Sequence, residues 1–344
     1  MSFCVVGGGK MGLSHLALIT PYLGKSNVFL VERKRSVRFI FRLMGYKAFA
    51  SLDALVKTIG MPKGLLIATP TSAHAEVSEW AIARRVPFFV EKPLTLDPER
   101  SAALVKMADE ANVAAQTGFV MRYVATFQRL RALVSDGHLG YLRSYRASMR
   151  GNVITKPPKP KNWQGDFARG GGCLNEYGPH IIDLCRFVFG EVEDVTRAEK
   201  GRVLSANADD WVDLDWKHAD GVAGTVHINW CDAAKRKSVI EIEAEFDHAS
   251  VRVDNSAVEI EFKDSARLDD SARAQLNRPT QLSNVAFYLR GEEFSLEVED
   301  FLGACLGQSL HVDSNPPAGV TPTLYDGYVV DCLIDDIARK AGLK

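Results

Sequence analysis

Residues 3–12 read Phe3-Cys4-Val5-Val6-Gly7-Gly8-Gly9-Lys10-Met11-Gly12, and this stretch decides the fold of the first part of the chain. A short apolar run leads into the pattern Gly-x-Gly-x-x-Gly, and helix-compatible sequence follows. The pattern predicts a strand, a tight turn and the N-terminus of a helix. Gly7 permits the sharp turn, Gly9 leaves space for a diphosphate, and Gly12 lets the helix pack closely on the strand.

An acidic residue follows the glycine pattern at the spacing in the sequence that this pattern leads us to expect. A second apolar run, 28–31, ends at Glu32, twenty residues after Gly12. A carboxylate at this position can accept hydrogen bonds from a ribose diol, so the sequence predicts a dinucleotide site. The alternative is a glycine-rich turn with a solvated glutamate. The charge of Glu32 would repel a 2′-phosphate and favours NAD, although the basic run 33–35 could still accommodate NADP.

The bulk composition indicates an ordinary globular chain with small-molecule partners. The chain has 344 residues, 46% of them hydrophobic, which is suited to two domains. A formal net charge of −1 predicts no general attraction to nucleic acid or to an anionic membrane. No leader pattern or membrane-spanning run is visible, and the six cysteines form no C-x-x-C pair. We therefore expect reduced thiols and a cytoplasmic location.

The order of elements predicts an α/β fold in two domains. Apolar runs at 64–68 and 86–90 alternate with helical segments, which is typical of a doubly wound parallel sheet with its ligands at the carboxyl ends of the strands. Thr69-Pro70 and Glu91-Lys92-Pro93 follow two of these strands. We place the dinucleotide-binding Rossmann domain at residues 1–120 and a second α/β domain at residues 121–344.

Beyond residue 120 the pattern changes. Segments between 141 and 262 alternate with a period of two, which predicts a large open, mostly antiparallel sheet. Residues 155–162 combine three lysines with three prolines and predict a basic loop, whose charge would favour an acidic or nucleotide-linked substrate. Residues 264–284 are polar and irregular, and two helices are expected near 293–306 and 323–341.

Two places carry side chains suited to acid–base chemistry. Lys92 follows a strand, where its ammonium can bind an oxygen near a cofactor, and the alternative is a surface ion pair with Glu91. In the second place, Glu176, His180 and Asp183 share one face if a single helix runs through them, whereas Pro179 could instead begin a helix or mark a kink. A histidine on an apolar helix is often only a satisfied core residue. The cysteines near His180 match no standard zinc spacing, so no metal is expected.

Several motifs occur together in an order typical of one family. They are Gly7-x-Gly9-x-x-Gly12, Thr69-Pro70 with His74, Glu91-Lys92-Pro93, Arg122-Tyr123, Asp136-Gly137 with Gly140, and Gly178-x-His180-x-x-Asp183. The chain resembles the glucose–fructose oxidoreductase, inositol dehydrogenase and MocA family over nearly its whole length, most strongly over residues 3–190.

The resemblance implies a Rossmann domain and an α/β domain with the active site between them, and a homodimer or homotetramer formed through the C-terminal sheet. Lys92 corresponds to the family's catalytic lysine and His180 to its acid/base histidine, and the resemblance suggests a cis Lys92–Pro93 bond. Glu176 stands where the family often has aspartate. The candidate catalytic residues are Lys92, His180, Glu176 and Asp183. The candidate cofactor-binding residues are Gly7, Gly9, Lys10, Met11, Gly12, Glu32, Arg33, Thr69, Pro70, His74, Glu91, Lys92 and Arg122.

The expected activity is oxidation of a secondary alcohol of a sugar, sugar derivative or cyclic polyol with NAD. His180 would take the hydroxyl proton, because an ordinary histidine titrates near neutrality, and Lys92 would bind the same oxygen. Two alternatives remain from the resemblance. One is an NAD-dependent glycoside hydrolase, and the other is a cofactor-sensing regulator without turnover.

Overall fold

The computed structural model describes residues 2–159, 162–263, 274, 276, 280, 283–311 and 319–344. Pro160 and Lys161 of the predicted basic loop, and most of the segment 264–284, lie outside the described residues. The chain forms two units by internal packing. The first contains Met1–Tyr123 and Ser283–Asp331, and the second contains Val124–Leu282 and Cys332–Lys344.

A six-stranded parallel sheet forms the centre of the first unit. Its strands are β1 (Phe3–Val6), β2 (Val28–Val31), β3 (Lys47–Phe49), β4 (Gly64–Ile67), β5 (Phe88–Glu91) and β6 (Ala115–Gly118). They lie in the order β3-β2-β1-β4-β5-β6, and every neighbouring pair is parallel. The predicted doubly wound Rossmann sheet is confirmed.

Helices cover both faces of this sheet. They are α1 (Lys10–Leu23), α2 (Arg35–Leu43), α3 (Leu52–Ile59), α4 (His74–Ala83) and α5 (Pro98–Ala111). The strands β1, β2 and β4 are buried along their whole length, as expected for a parallel sheet with helices on each side. Ser51 caps α3 by accepting a hydrogen bond from the N–H of Ala54, and Asp97 caps α5 in the same way from Glu99.

A later segment joins the core of the first unit. Helix α9, Glu292–Leu306, follows helices α6 to α8 in the chain, which are described below with the second unit. It buries Val298, Phe301 and Leu302 in a cluster with Phe3 and Leu16. The sequence assigned residues 121–344 together to the second domain, whereas the described residues between 283 and 331 pack in the first unit. The reason is hydrophobic burial: one face of α9 covers apolar side chains of the parallel sheet and of α1.

A seven-stranded sheet forms the second unit. Its strands are β7 (Leu142–Arg150), β8 (Val192–Gly201), β9 (Trp211–His218), β10 (Ala223–Asn229), β11 (Val239–Phe246), β12 (Ala249–Asp254) and β13 (Val258–Phe262). The order is β13-β12-β11-β7-β10-β9-β8, and the β7–β10 pair is parallel while the other pairs are antiparallel. This confirms the predicted open, mostly antiparallel sheet.

The helices of this unit include α6 (Ala125–Asp136), α7 (Cys173–Glu176) and α8 (Gly178–Phe189). The last helix is α10 (Leu324–Lys340), which begins in the first unit and ends in the second. Residues alternate between buried and exposed along β9 and β11, so one face of the sheet is apolar. Tyr145 on β7 stacks on Phe189 of α8 with ring centroids 3.8 Å apart. The helix α8 therefore covers the apolar face.

None of the six cysteines, all of which lie within the described residues, forms a disulfide bond. None of the helices in the described ranges combines the length and the apolar character needed to cross a bilayer.

Candidate functional site

The glycine turn has the geometry that the sequence predicts. Gly7 has a φ of +106°, and a Cβ added there would lie 2.4 Å from the carbonyl oxygen of Ala68. A Cβ on Gly12 would lie 1.9 Å from the carbonyl oxygen of Gly7, so only glycine permits this approach of α1 to the turn. At Gly9, by contrast, an added Cβ would meet no described atom within 4 Å. Helix α1 starts directly after Gly9 without a side-chain cap, so its first N–H groups are available to an anion.

Glu32 lies at the end of β2 beside this turn. Its Oε2 atom accepts a hydrogen bond of 2.8 Å from the backbone N–H of Gly8, and its Oε1 atom accepts one of 2.7 Å from Lys34. The side chain of Arg33 is 80% exposed and lies 3.4 Å from Glu76. The open space at Gly9 and the fixed carboxylate of Glu32 fit a dinucleotide, with the diphosphate at the turn and a ribose at the acid.

His74 connects two other strand ends. The histidine is 1% exposed. Its Nδ1 atom lies 2.9 Å from the carbonyl oxygen of Pro93, and its Nε2 atom lies 3.0 Å from that of Thr69. Burial lowers the pKa of His74, although both carbonyls act to raise it. The imidazole therefore holds the turn after β4 against the turn after β5. These two contacts stabilise the backbone at this end of the sheet.

The motif Glu91-Lys92-Pro93 lies at the carboxyl end of β5, and the Lys92–Pro93 bond is cis, as expected. Glu91 accepts a hydrogen bond from Nε2 of His15 on α1, with Nε2 and Oε1 2.7 Å apart. Burial acts to raise the pKa of Glu91, but His15 and the charge of Lys92 outweigh it, so the pKa lies below its usual value.

Sequence reasoning missed His15. The signal that could have found it is its place three residues after Gly12, because residues i and i+3 share a helix face and Gly12 faces the sheet. A polar residue on that buried face needs a partner inside the unit.

Arg122 is 6% exposed and forms an ion pair with Asp326 in the first turn of α10 at 2.7 Å. Burial acts to raise the pKa of Asp326, and the charge of Arg122 lowers it below its usual value. In this structure Arg122 fixes the start of the last helix. Its predicted part in cofactor binding stays a prediction.

His180 and Glu176 lie on two successive helices. Helix α7 ends at Glu176, and α8 begins at Gly178 with Pro179 in its first turn. The open choice at Pro179 is thereby resolved as a helix start, which suits a residue that has no backbone N–H. His180 and Glu176 do not form the i, i+4 pair of one continuous helix, because the helix is interrupted at Tyr177. Both side chains are partly exposed.

Asp183 lies on the inner side of α8. Its side chain is fully buried, and Oδ1 lies 3.8 Å from Nη1 of Arg186. Arg186 in turn donates two hydrogen bonds, of 2.8 and 2.7 Å, to the carboxylate of Glu191. These contacts anchor α8, and the predicted catalytic part of Asp183 stays a prediction.

A second residue that sequence reasoning missed supports α7. Asp209 is fully buried, and its Oδ2 atom accepts hydrogen bonds from the N–H of Leu174, at 2.7 Å, and from the thiol of Cys173, at 3.0 Å. Burial raises the pKa of Asp209. A Cβ on Gly172 would lie 2.1 Å from Oδ1 of this carboxylate, so the glycine run permits the contact.

The carboxyl ends of β1, β2, β4 and β5 therefore bring together the glycine turn, Glu32, Thr69, His74 and Glu91 within the first unit. Lys92 belongs to this unit, and Glu176, His180 and Asp183 belong to the second. Among the residues that the structure describes, no three or more His, Cys, Asp or Glu side chains are grouped so that they could hold a metal ion.

Two family models match most of the chain. Residues 1–119 match an oxidoreductase family with an NAD-binding Rossmann fold, and residues 127–252 match the GFO/IDH/MocA C-terminal domain.

Curated relatives share part of the sequence. A glucose-6-phosphate 3-dehydrogenase of Bacillus subtilis is 23% identical over 203 residues, which cover 58% of this chain and 56% of the relative. An inositol 2-dehydrogenase of Mycolicibacterium vanbaalenii is 31% identical over 192 residues, covering 54% of this chain and 52% of the relative. The matched region spans about half the length of these relatives.

Solved structures share the fold over nearly the whole chain. Levoglucosan dehydrogenase in complex with NADH and levoglucosan aligns with a TM-score of 0.79 at 20% identity and covers 99% of this chain and 97% of that one. The WlbA dehydrogenase from Bordetella pertussis, in complex with NADH and UDP-GlcNAcA, aligns with a TM-score of 0.78 at 18% identity and covers 99% of this chain and 96% of that one.

Proposed function

Because the chain belongs to the GFO/IDH/MocA family of oxidoreductases, we propose that it is an NAD-dependent dehydrogenase of a sugar, sugar derivative or cyclic polyol. The observation that carries the proposal is the grouping, at one edge of the parallel sheet, of the glycine turn, the carboxylate of Glu32 and the strand end that bears Lys92. In this proposal residues 1–120 bind the cofactor, and the second domain binds the substrate.

The cofactor is held by backbone and by one acid. The N–H groups at the start of α1 bind the diphosphate, and Glu32 accepts hydrogen bonds from the ribose hydroxyls. Lys10, Met11, Arg33, Thr69 and Pro70 line the same edge. NAD, when bound, supplies the hydride acceptor of the reaction.

The protein's own groups handle the proton and the developing charge. His180 accepts the proton of the substrate hydroxyl as general base. Lys92 donates a hydrogen bond to the same oxygen and stabilises its negative charge. Glu176 and Asp183 orient the substrate and the imidazole.

The relatives and the basic loop support the proposed substrate class. The relatives act on a sugar phosphate or on inositol, and one structural neighbour is bound to a nucleotide-linked sugar acid. The lysines Lys156 and Lys159 are exposed. They favour a substrate that carries an anionic group.

The outward face of the second sheet is the proposed oligomer interface. It carries both signs of charge, with Arg146 and Arg150 on β7, Glu243 on β11 and Arg252 on β12. Arg252 and Glu243 lie 3.4 Å apart across the strand pair. A surface with both signs can pair with a rotated copy of itself, so we propose a homodimer or homotetramer through this face.

Formation of NADH from NAD tests the proposal, with inositol, glucose 6-phosphate, levoglucosan and UDP-GlcNAcA as substrates. Net NADH absorbance supports the dehydrogenase, and a higher kcat/KM for the anionic substrates than for inositol supports the role of the basic loop. Cleavage of a glycoside without net NADH supports the hydrolase, and NADH binding without turnover of any substrate supports the regulator. Either of the last two results overturns the proposal.

A further inference from the structure

Both neighbours of Lys92 in the sequence are held by buried histidines. Glu91 is held through its side chain by His15, and Pro93 through its carbonyl oxygen by His74. The first histidine lies on α1 and the second at the start of α4, so the two contacts reach this strand end from different helices.

His15 is the unexpected member of this pair. The side chain is fully buried, and the ring packs edge-on against Phe89 with centroids 5.1 Å apart. Its Nε2 atom lies 2.7 Å from Glu91, while its Nδ1 atom is buried with no hydrogen-bond partner among the described residues. A leucine would fill such a core position without leaving a polar atom unsatisfied. The histidine therefore costs stability that the contact with Glu91 must offset.

The contact joins two parts of the site. Helix α1 begins at the glycine turn, and His15 lies in its second turn, so a bond from His15 to Glu91 fixes the distance between the glycine turn and the end of β5. Glu91 is a largely buried carboxylate, with 13% of its side chain exposed, and a buried charge that loses its partner must move or be neutralised.

His74 completes the arrangement on the other side of Lys92. It contacts the carbonyl oxygens of Pro93 and Thr69. With the residue before it and the residue after it both held, Lys92 has its backbone fixed, and the direction of its Cα–Cβ bond is fixed with it. We infer that His15 is a positioning residue, which holds Glu91 and thereby sets the place of the Lys92 ammonium relative to the dinucleotide turn.

This inference rests on the proposed function for its effect on rate. A displacement of about 1 Å at a catalytic group costs about 100-fold in rate, so loss of the bond should lower kcat far more than it weakens NADH binding. The contact itself is independent of any reaction, so its effect on Lys92 is measurable without a substrate.

The test compares three substitutions of His15. His15→Gln places an amide N–H near the position of Nε2 and keeps the bond to Glu91. His15→Asn is too short to reach, and His15→Leu has no donor. The matched control is His218→Gln, because His218 is 1% exposed, is bonded at both ring nitrogens to Tyr145 and Gly190, and is not one of the residues assigned to the proposed site.

Two readouts are used for each variant. The first is the ¹³C NMR signal of Lys92 after reductive methylation with labelled formaldehyde, recorded with and without NADH and assigned with Lys92→Arg. The second is kcat with KM for NAD, together with the dissociation constant of NADH from fluorescence. Thermal unfolding gives the folded fraction of each variant.

We expect His15→Asn and His15→Leu to shift the Lys92 signal and to lower kcat about 100-fold, with the NADH dissociation constant changed by less than about threefold. His15→Gln should keep the signal and most of kcat, and His218→Gln should lose only thermal stability. If the leucine variant does not fold, the comparison of Asn with Gln decides.

An unchanged Lys92 signal in His15→Asn, or equal losses in the Asn and Gln variants, overturns the inference. Absence of turnover in the wild-type protein overturns the proposed function and leaves the Lys92 signal to decide this inference separately.

Discussion

Glu32 and Gly8 are joined by a hydrogen bond of 2.8 Å, from the backbone N–H of the glycine turn to Oε2 of the acid. The carboxylate that we propose discriminates between cofactors is therefore held in place by the same turn that we propose binds the diphosphate. Because a fixed negative charge next to the ribose excludes a 2′-phosphate, cofactor choice should depend on this side chain more than on the basic residues after it.

Replacement of Glu32 tests this relationship. Glu32→Ser removes the repulsion and a ribose acceptor, so kcat/KM with NAD should fall about 10- to 100-fold while kcat/KM with NADP rises, since each lost charged hydrogen bond is worth about 1.5 to 3 kcal/mol. Arg33→Ala, as the matched control, should leave the preference for NAD intact. An unchanged NAD/NADP ratio in Glu32→Ser would contradict this account.

A buried ion-pair cluster in the first unit predicts a dependence of stability on pH. His311 lies 3.0 Å from Glu299 and 2.7 Å from Asp300, and its hydrogen bonds to Asp300 and then to Glu299 raise its pKa to about 9. Because the folded pKa lies above the unfolded value of about 6.5, the stabilisation is complete below pH 6.5 and is lost as the pH rises through about 9.

His311→Gln should therefore lower the free energy of unfolding by about 1 to 3 kcal/mol at about pH 6. At about pH 10 the deficit should largely disappear, because the wild-type histidine is then neutral. Urea unfolding at the two pH values measures it. A deficit of the same size at both values would rule out the charged form as its source.

The buried carboxyl group of Asp331 predicts a second dependence of stability on pH, at lower pH values than that of His311. Asp331 accepts hydrogen bonds from the N–H of Thr95 and the hydroxyl of Ser101, and burial raises its pKa from 3.8 to about 7. The folded protein then binds this proton more tightly than the unfolded chain, so stability falls as the pH rises from about 4 to about 7.

The slope from one such group is at most about 1.4 kcal/mol for each pH unit. Asp331→Asn removes the titrating proton, and its free energy of unfolding should vary less between about pH 5 and pH 7 than that of the wild type. Denaturant titrations across this window provide the measurement, and parallel curves for the two proteins would show that Asp331 does not cause the slope.

The outward face of the second sheet predicts the oligomeric state. Light scattering should give a mass for the wild type that is two or four times the chain mass of 37.9 kDa. Glu243→Arg places a third positive charge beside Arg252 and Arg146 and should shift the mass toward the single chain. Glu110→Arg, on the exposed side of α5, should leave it unchanged. A wild-type protein that is monomeric would contradict the proposed interface.

The sequence predicted those features that depend on local pattern. The glycine spacing predicted the turn and the start of α1, and the alternation of strands and helices predicted the parallel sheet, because turn geometry and strand burial are imposed by neighbouring residues. The two-residue period likewise predicted the antiparallel sheet.

What sequence reasoning missed depends on contacts between distant residues. His15 meets Glu91 across 76 positions, and Asp209 meets Leu174 across 35. The place of His15 after Gly12 indicates that its side chain is buried, but the local sequence does not identify the partner in either pairing. Helix α9 was expected, but its packing in the first unit was not, because an apolar helix face does not specify which sheet it covers. The interruption of the helix at Tyr177 could not be predicted, because Pro179 is compatible both with the start of a new helix and with a kink in a longer one.

The measurement that tests the central claim most directly is the rate of NADH formation by His180→Asn at saturating NAD. The account predicts a rate about 100-fold or more below the wild type, because general acid–base catalysis is worth about 100- to 10,000-fold, with NADH affinity retained. The exposed His138→Asn is the control and should keep the wild-type rate. A His180→Asn protein that forms NADH as fast as the wild type would contradict the account.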